Sequence, residues 1–357
     1  MQRVVSNSAN PHVAPTRSCS ICSSLAKMVR TVCEACKVIW IIIKQWLSYS
    51  PYEIRELDLD RISPKMQQKL KDFERSFDYP LDRGKRFRIL HGKGAGDYFG
   101  FVRRLGSPKF YIAINKKNRE ITRQFTIDGR PVEKKVVLRA GEIAGVGCGI
   151  LREMSQPGGR SLKAWYICDL KVKDAYRGEH IPIRLFQKGF WRFFQCSRGY
   201  AICMNPGDGT VPKAARIWQR HGALSSNTLA LNLYNINAEH FAGSRGRIEQ
   251  ACQGQITFKS MTGIKEFEIF QESDPAQTEE WRILHIQHGL KGEKELSAAV
   301  STDPKPGYDH LIAAVVGSAL DRALAATENI QKFSSATIVY RGLDPAIFEN
   351  TILTNEI

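Results

Sequence analysis

The chain of 357 residues lacks a long hydrophobic run: the apolar stretch Val38 to Ile43 stops at Lys44, well short of the roughly 20 apolar residues that span a bilayer as a helix. No N-terminal segment has the make-up of a cleavable secretory signal. A disulfide framework is missing as well. The nine cysteines are odd in number, and Cys148, Cys168, Cys196, Cys203 and Cys252 are scattered through apolar stretches, the pattern of free thiols in a reducing compartment. A cytoplasmic protein is expected. Acidic charge is in deficit, with 36 Asp and Glu against 52 Lys and Arg and a net charge of +16. Because the excess is spread along the chain, it favours polyanions in general and specifies no nucleic acid. The apolar fraction of 43% provides for a real core.

What is present divides into four parts. Residues 1–23 are polar and contain prolines, as in a disordered tail. Residues 24–80 form a helical N-terminal extension: from Ser24 to Ser48, Lys27, Arg30, Lys37 and Lys44 make a basic stripe beside Leu25, Val29, Trp40 and Ile43, and Met66 to Phe77 predicts a second short helix. Strand signals follow at Phe87 to Leu90, Phe110 to Asn115, Val136 to Leu138, Ile143 to Ile150 and Ala164 to Val172, with a short helix between Asp97 and Leu105. Next come a helix from Ile181 to Gln195, a strand Tyr200 to Met204, a loop Asn205 to Thr210, a helix Pro212 to His221 and a strand Leu229 to Tyr234. The part from 241 to 357 predicts strands at 255–259 and 266–270, a helix from Thr278 to His285, and strand, helix, strand at His310 to Val316, Ala319 to Ala326 and Ala336 to Tyr340.

The segment Trp165 to Phe186 carries the chemistry. An apolar strand runs into a basic turn with Arg177 and Gly178, and a helix opens directly behind it, so that free backbone N–H groups point at a common anion. Arg184 and Lys188 add positive charge, and His180 adds a side-chain donor when protonated.

The order strand, Arg-Gly turn, amphipathic helix, strand, Asn-containing loop, helix resembles the acyl-CoA-binding half of the GNAT superfamily of N-acyltransferases over roughly residues 85–236. The family's phosphate turn reads Arg/Gln-x-x-Gly-x-Gly/Ala, and Arg177-Gly-Glu-His-Ile-Pro182 occupies it with both later glycines replaced, by His180 and Pro182. The resemblance implies a mixed α/β sheet flanked by helices over 81–240; outside it, 241–357 reads as an α/β C-terminal domain, with a degenerate half of the same kind as one reading of it. It implies an acyl-CoA such as acetyl-CoA as co-substrate and a primary amine as acceptor. Leu170, Lys171 and Val172 would face the pantetheine arm, Arg177, Gly178, Glu179 and His180 with Arg184 would hold the pyrophosphate, and Asn205 would stand at the loop before the last helix. For the base, Asp169 comes first and Asp97 second. The family's leaving-thiolate tyrosine is replaced by Trp218, which leaves Tyr234, Tyr166 or His221 for that step.

Two features remain outside this reading. Cys19, Cys22, Cys33 and Cys36 have the paired spacing of a four-thiolate zinc site, yet helical periodicity runs through the second pair, so zinc and helix-face thiols both stand. The basic helix 24–48 suits docking on the catalytic domain, a membrane surface or a protein partner. Rival functions are a GNAT-fold binding or regulatory module without catalysis, and a membrane- or polyanion-binding protein.

Overall fold

The computed structural model describes residues 40, 50–81, 84–90, 98–127, 130–156, 160–206, 210–212, 214–216, 227–253, 256–260, 265–271, 273–290 and 307–351. Asp97, Trp218, His221, the four N-terminal cysteines and the basic helix 24–48, apart from Trp40, lie outside them. Among the described residues, no helix is long and apolar enough to cross a membrane. Cys148, Cys168, Cys196, Cys203 and Cys252 are free thiols.

Fifteen strands are present among the described residues: β1 Tyr52–Leu57, β2 Tyr79–Pro80, β3 Lys85–Leu90, β4 Ser107–Asn115, β5 Arg119–Ile127, β6 Arg130–Leu138, β7 Ile143–Ser155, β8 Ser161–Val172, β9 Gly199–Met204, β10 Asn227–Asn237, β11 Ile256–Ser260, β12 Lys265–Gln271, β13 Asp274–Leu290, β14 Asp309–Val315 and β15 Gln331–Arg341. The helices are α1 Pro64–Glu74, α2 Gly100–Leu105, α3 Ile181–Gly189, α4 Ala238–Ala251, α5 Ala319–Ala325 and α6 Ala346–Thr351. β5 and β6 form a separate hairpin. The others build a large mixed sheet in the order β1-β4-β7-β8-β9-β15-β10-β14-β13-β12-β3-β2, with β11 added on β13.

Its pattern of parallel and antiparallel neighbours is the same from either end. β8 and β9 are parallel over three residue pairs, and so are β13 and β14; every other neighbouring pair is antiparallel. At the centre β15 pairs with both β9 and β10, so the last strand of the chain lies between two strands that are neighbours in sequence. One face of the sheet buries Phe73, Tyr98, Phe110, Ile150, Tyr166 and Ile338 in a continuous core. On the other, Tyr111, Ile181 and Leu185 pack under α3 while Tyr234, Phe241 and Leu324 pack under α4 and α5.

Local chemistry accounts for the element ends. Ser63 caps α1 by accepting from the Met66 N–H, and Pro64 sits in the first turn, where no N–H is needed, so this proline opens a helix. Asn237 accepts from the His240 N–H and starts α4. Two expectations change. Thr278 to His285 is strand, the middle of β13, because its backbone pairs with β12 from Thr278↔Phe270 to Ile283↔Lys265, and the tertiary ladder overrides the helix-forming Glu279, Glu280 and Leu284. The helix from Ile181 closes at Gly189 and tightens into a 3-10 segment over Phe190–Gln195.

Candidate active site

β8 carries the site. Its parallel pairing with β9 ends at Ile167↔Ala201. Beyond that point β9 follows β15 to Met204↔Ala336, while β8 follows β7 to Val172↔Gly145. The strands part, and the β8 wall of the slot between them is an open strand edge. Lys173 donates to the Ala144 carbonyl of β7 at 3.0 Å. By strand alternation Lys171 also turns its backbone groups to β7, and Leu170 and Val172 turn theirs to the slot.

A bulge sits at the mouth of this slot. Between Cys148↔Cys168 and Val146↔Lys171, β8 sets Asp169 and Leu170 against the single residue Gly147. Asp169 takes φ 50°, a left-handed conformation that Asp and Asn tolerate better than other side chains and that costs on the order of 1–3 kcal/mol. The extra residue resets the alternation. Trp165, Ile167, Leu170 and Val172 all face α3, and Tyr166, Cys168 and Lys171 face the opposite core.

Under α3 the sheet is stripped of side chains by Gly145, Gly147 and Gly149. A Cβ on Gly145 would lie 2.8 Å from Ile181 Cγ2 and 2.9 Å from the Lys171 carbonyl, so glycine is what lets α3 settle this close. Around Gly147 and Gly149 there is room: an apolar cavity of about 80 Å³ is lined by Trp165, Ile167, Leu170, Leu185 and Phe186.

The turn between β8 and α3 is held from outside. Gly178 and His180 both take positive φ, 84° and 56°, which bends the chain into the helix. The backbone N–H groups of Gly178, His180, Ile181 and Ile183 meet no acceptor among the described residues, and Pro182 has none to offer. The Glu179 side chain is taken up at the flank of the turn: it accepts from Tyr52 Oη at 3.2 Å and from Arg119 Nη2 at 3.1 Å, and it pairs with Arg123. Burial would push its carboxyl up, but Arg119 and Arg123 outweigh burial and hold it below the ordinary range. Below the turn Glu142 accepts from Tyr176 Oη at 2.7 Å and Lys173 Nζ at 2.8 Å. Arg177 is exposed on Asp174 at 2.7 Å.

On the face opposite α3 a second group converges on the bulge. Lys171 Nζ lies 2.8 and 2.9 Å from the two Glu74 oxygens and 2.8 Å from Asp169 Oδ1. Glu74, 1% exposed, also accepts from Tyr79 Oη at 2.6 Å and Tyr98 Oη at 3.3 Å. Burial alone would push the Lys171 ammonium down; Asp169, Tyr79 and Glu74 outweigh it, and Lys171 stays charged well above the ordinary lysine range. Burial, then the Glu74 charge, pushes the Tyr98 phenol up. Among the described residues, Lys171 thus bridges two carboxylates, Glu74 and Asp169.

The structure brings Asp169, Leu170 and Val172 to the slot and Gly178, His180 and Arg184 to the turn. Lys171 is placed differently, with its backbone on β7 and its side chain on Glu74. Glu179 serves as a brace for the turn, since its carboxylate is taken by two arginines. Asn205 ends β9: it donates to Ser335 Oγ at 2.9 Å and accepts from Thr337 Oγ1 at 2.7 Å, which ties β9 to β15. Tyr234 lies on β10, with β9 and β15 between it and β8, and donates to Asp321 Oδ1 at 2.7 Å. Burial, then Asp321, pushes its phenol up to about 12, which suits a structural hydroxyl. Tyr166 is buried in the sheet, stacked on Tyr200 at 5.0 Å.

Sequence reasoning missed Glu74, Tyr79, Tyr98, Arg119 and Arg123. For Glu74 a signal existed: it stands four residues after Leu70 and one after Phe73, on the buried stripe of α1, where a carboxylate needs a partner.

No known protein-family model matches the chain, and no curated protein matches it. Solved structures show weak likenesses. A fungal GCN5-related glucosamine N-acetyltransferase region of a multi-domain β-N-acetylglucosaminidase is 8% identical over 83% of this chain, with TM-score 0.42, and the chain spans 38% of that protein. Saccharomyces cerevisiae N-myristoyltransferase with bound myristoyl-CoA is 10% identical over 85% of this chain and 89% of its own, with TM-score 0.40. A tandem GNAT protein from the clavulanic acid biosynthesis pathway is 7% identical over 81% of this chain and 98% of its own, also with TM-score 0.40. At such scores no activity or substrate passes from those proteins to this one. By the order of its own elements, a bulged strand, a phosphate-type turn, a helix and a strand that parts from the first, the chain has a GNAT-like α/β fold.

Proposed function

We propose that the protein is an N-acyltransferase that moves an acyl group from acyl-CoA to a primary amine. The observation that carries this reading is the juxtaposition at Asp169: a bulged carboxylate, paired with Lys171, beside a strand edge that meets no partner strand among the described residues. The free N–H groups of the turn suit a diphosphate, and the exposed backbone groups of Leu170 and Val172 suit the amides of a pantetheine arm lying along β8. The Asp169 carboxylate suits an ammonium. In the step proposed, Asp169 takes a proton from the acceptor ammonium and the neutral amine attacks the thioester carbonyl. The C–N bond forms, the C–S bond breaks, and the thiolate leaves and is protonated, so that amide, free CoA and one proton result. The acyl length and the acceptor are open, with an acetyl group as the simplest donor cargo. The mirrored pairing pattern supports reading 241–357, together with β2, β3 and β10, as a degenerate second half.

The test is thiol release from acetyl-CoA across a panel of primary amines, alongside thermal-shift titration with CoA. Asp169→Asn keeps a side chain that tolerates positive φ, and is expected to lower kcat by about 10²–10⁴ while CoA still stabilises the fold. No thiol release together with no stabilisation by CoA would sink the proposal in favour of a binding module or a polyanion-binding protein.

A further inference from the structure

The β5–β6 hairpin stands beside the turn, and its two faces differ in charge. Direct cross-strand partners share a face. One face therefore carries Arg119 with Leu138, Ile121 with Val136, Arg123 with Lys134, Phe125 with Val132, and Arg130. The other carries Glu120 and Glu133 with Lys135, and Lys135 pairs with Glu120 at 3.1 Å. Among the described residues the first face holds four cations and no carboxylate of its own.

This cationic face is the one turned to the segment between β8 and α3 that forms the anion cradle. Arg119 and Arg123 reach Glu179 of the turn, Arg123 Nε donates to the Ala175 carbonyl at 3.4 Å, and a Cβ on Gly178 would lie 3.5 Å from Arg123 Nη1. At the root of the hairpin Ile121 and Val136 pack with Tyr52, Tyr176 and Ile181, which fixes the hairpin against the turn and α3. Glu179 engages the two inner arginines. Lys134 and Arg130, farther out on the same face, are exposed and form no ion pair among the described residues, and between them lie half-buried Phe125 and Val132, 36% exposed. A cation, an apolar surface and a cation in a row make a binding face for a planar ring that carries an anionic group.

We propose that this face binds the phosphorylated nucleoside end of the acyl donor: Phe125 and Val132 meet the base, and Lys134 with Arg130 meets the phosphate on the ribose 3′-oxygen, outside the diphosphate. The inference rests on the acyl-CoA reading above and extends it to donor selection. It makes the enzyme selective for a donor with the 3′-phosphate over the same thioester without it, on surface that the chemical step does not use.

The test is calorimetric binding of CoA and of 3′-dephospho-CoA to the full chain and to an R130E/K134E variant. Both substitutions are on exposed side chains, so the fold is expected to stand, with the unfolding midpoint as the check. The wild type is expected to bind CoA on the order of tenfold more tightly than dephospho-CoA, and the variant to bind both alike, at the wild-type affinity for dephospho-CoA. Equal affinities in the wild type would overturn the subsite and leave the acyl-CoA reading standing. A variant that weakens both ligands by the same factor would also overturn it, since that is general electrostatic steering. A wild type that binds neither ligand overturns the acyl-CoA reading and this inference together.

Discussion

Replacing Lys171 by methionine keeps most of the side-chain volume and removes the charge that Glu74 and Asp169 share. Asp169 is 13% exposed at the slot mouth and can turn to water; Glu74 is 1% exposed and loses the ammonium that meets both of its oxygens. Breaking a buried ion pair by taking one partner costs about 3–5 kcal/mol, because the other charge stays buried. At roughly 2–4 °C per kcal/mol, as for domains of about 150–250 residues, the unfolding midpoint should fall by roughly 6–20 °C. Glu74→Gln alone should cost less, about 1–3 kcal/mol, because Lys171 keeps Asp169 and the amide oxygen still accepts from a tyrosine. The double variant removes both charges together. It should be more stable than the sum of the single losses by about 1–3 kcal/mol, as contacting residues in one network couple. Circular dichroism against temperature and urea, on the four proteins of the cycle, reads this directly. Additive losses, or a Lys171→Met midpoint within about a degree of wild type, would refute the claim that Lys171 neutralises a buried Glu74.

Gly145 and Gly147 should separate on substitution by alanine: at Gly145 the new methyl meets the Lys171 carbonyl at 2.9 Å, a cost of about 1–3 kcal/mol with α3 displaced, whereas at Gly147 the nearest atom is at 3.5 Å and the change should be small; chemical denaturation of both variants checks the contrast. His310 is fully buried, stacks on Phe241 at 5.9 Å, and neither ring nitrogen has a hydrogen-bond partner among the described residues. Burial lowers its pKa, against smaller opposing effects from the Ile236 backbone and Asp309, so the unfolded chain takes up a proton below about pH 6.5 that the folded one refuses. Stability should therefore fall as pH drops through that value, by up to about 1.4 kcal/mol per pH unit, and level off below the folded pKa. His310→Leu should remove one proton from this slope in urea titrations between pH 7 and pH 5; an unchanged slope would count against it.

The strand, turn, helix, strand core of the site was legible because it is local: apolar alternation in β8, the Arg177-Gly178 turn and the apolar face of α3 lie within one stretch of chain. The bulge was not, since nothing in Cys168-Asp-Leu-Lys171 distinguishes two residues facing one from ordinary alternation. Glu74 and Lys171 stand 97 residues apart, and Arg123 and Glu179 stand 56 apart, so their pairing depends on how β7 and the hairpin fold back. β5 escaped notice because its alternating Arg119, Ile121, Arg123 and Phe125 mix charge with apolar residues on a single face, and α4 because Gly243 and Gly246 interrupt its helix-forming run. β13 shows the opposite failure, a local helical preference overruled by its neighbours in the sheet.

The place of β15 decides when this protein can begin to work. The far wall of the slot, β9, is held on its other side by β15, and Asn205 at its end is anchored to Ser335, 130 residues later in the chain. A ribosome that has released β8, the turn and α3 has therefore made every residue proposed to touch the donor and still has not made the slot. Until Arg341 has emerged, β9 has a bare edge, open to mispairing with another chain. A fragment cut between Asn237 and β15 would keep the whole apparent motif and lack the geometry that gives it meaning. Dissecting this protein by truncation would then report loss of the slot for a reason that has nothing to do with the chemistry of the residues removed, and a split version should regain its slot when β15 is supplied on a second chain.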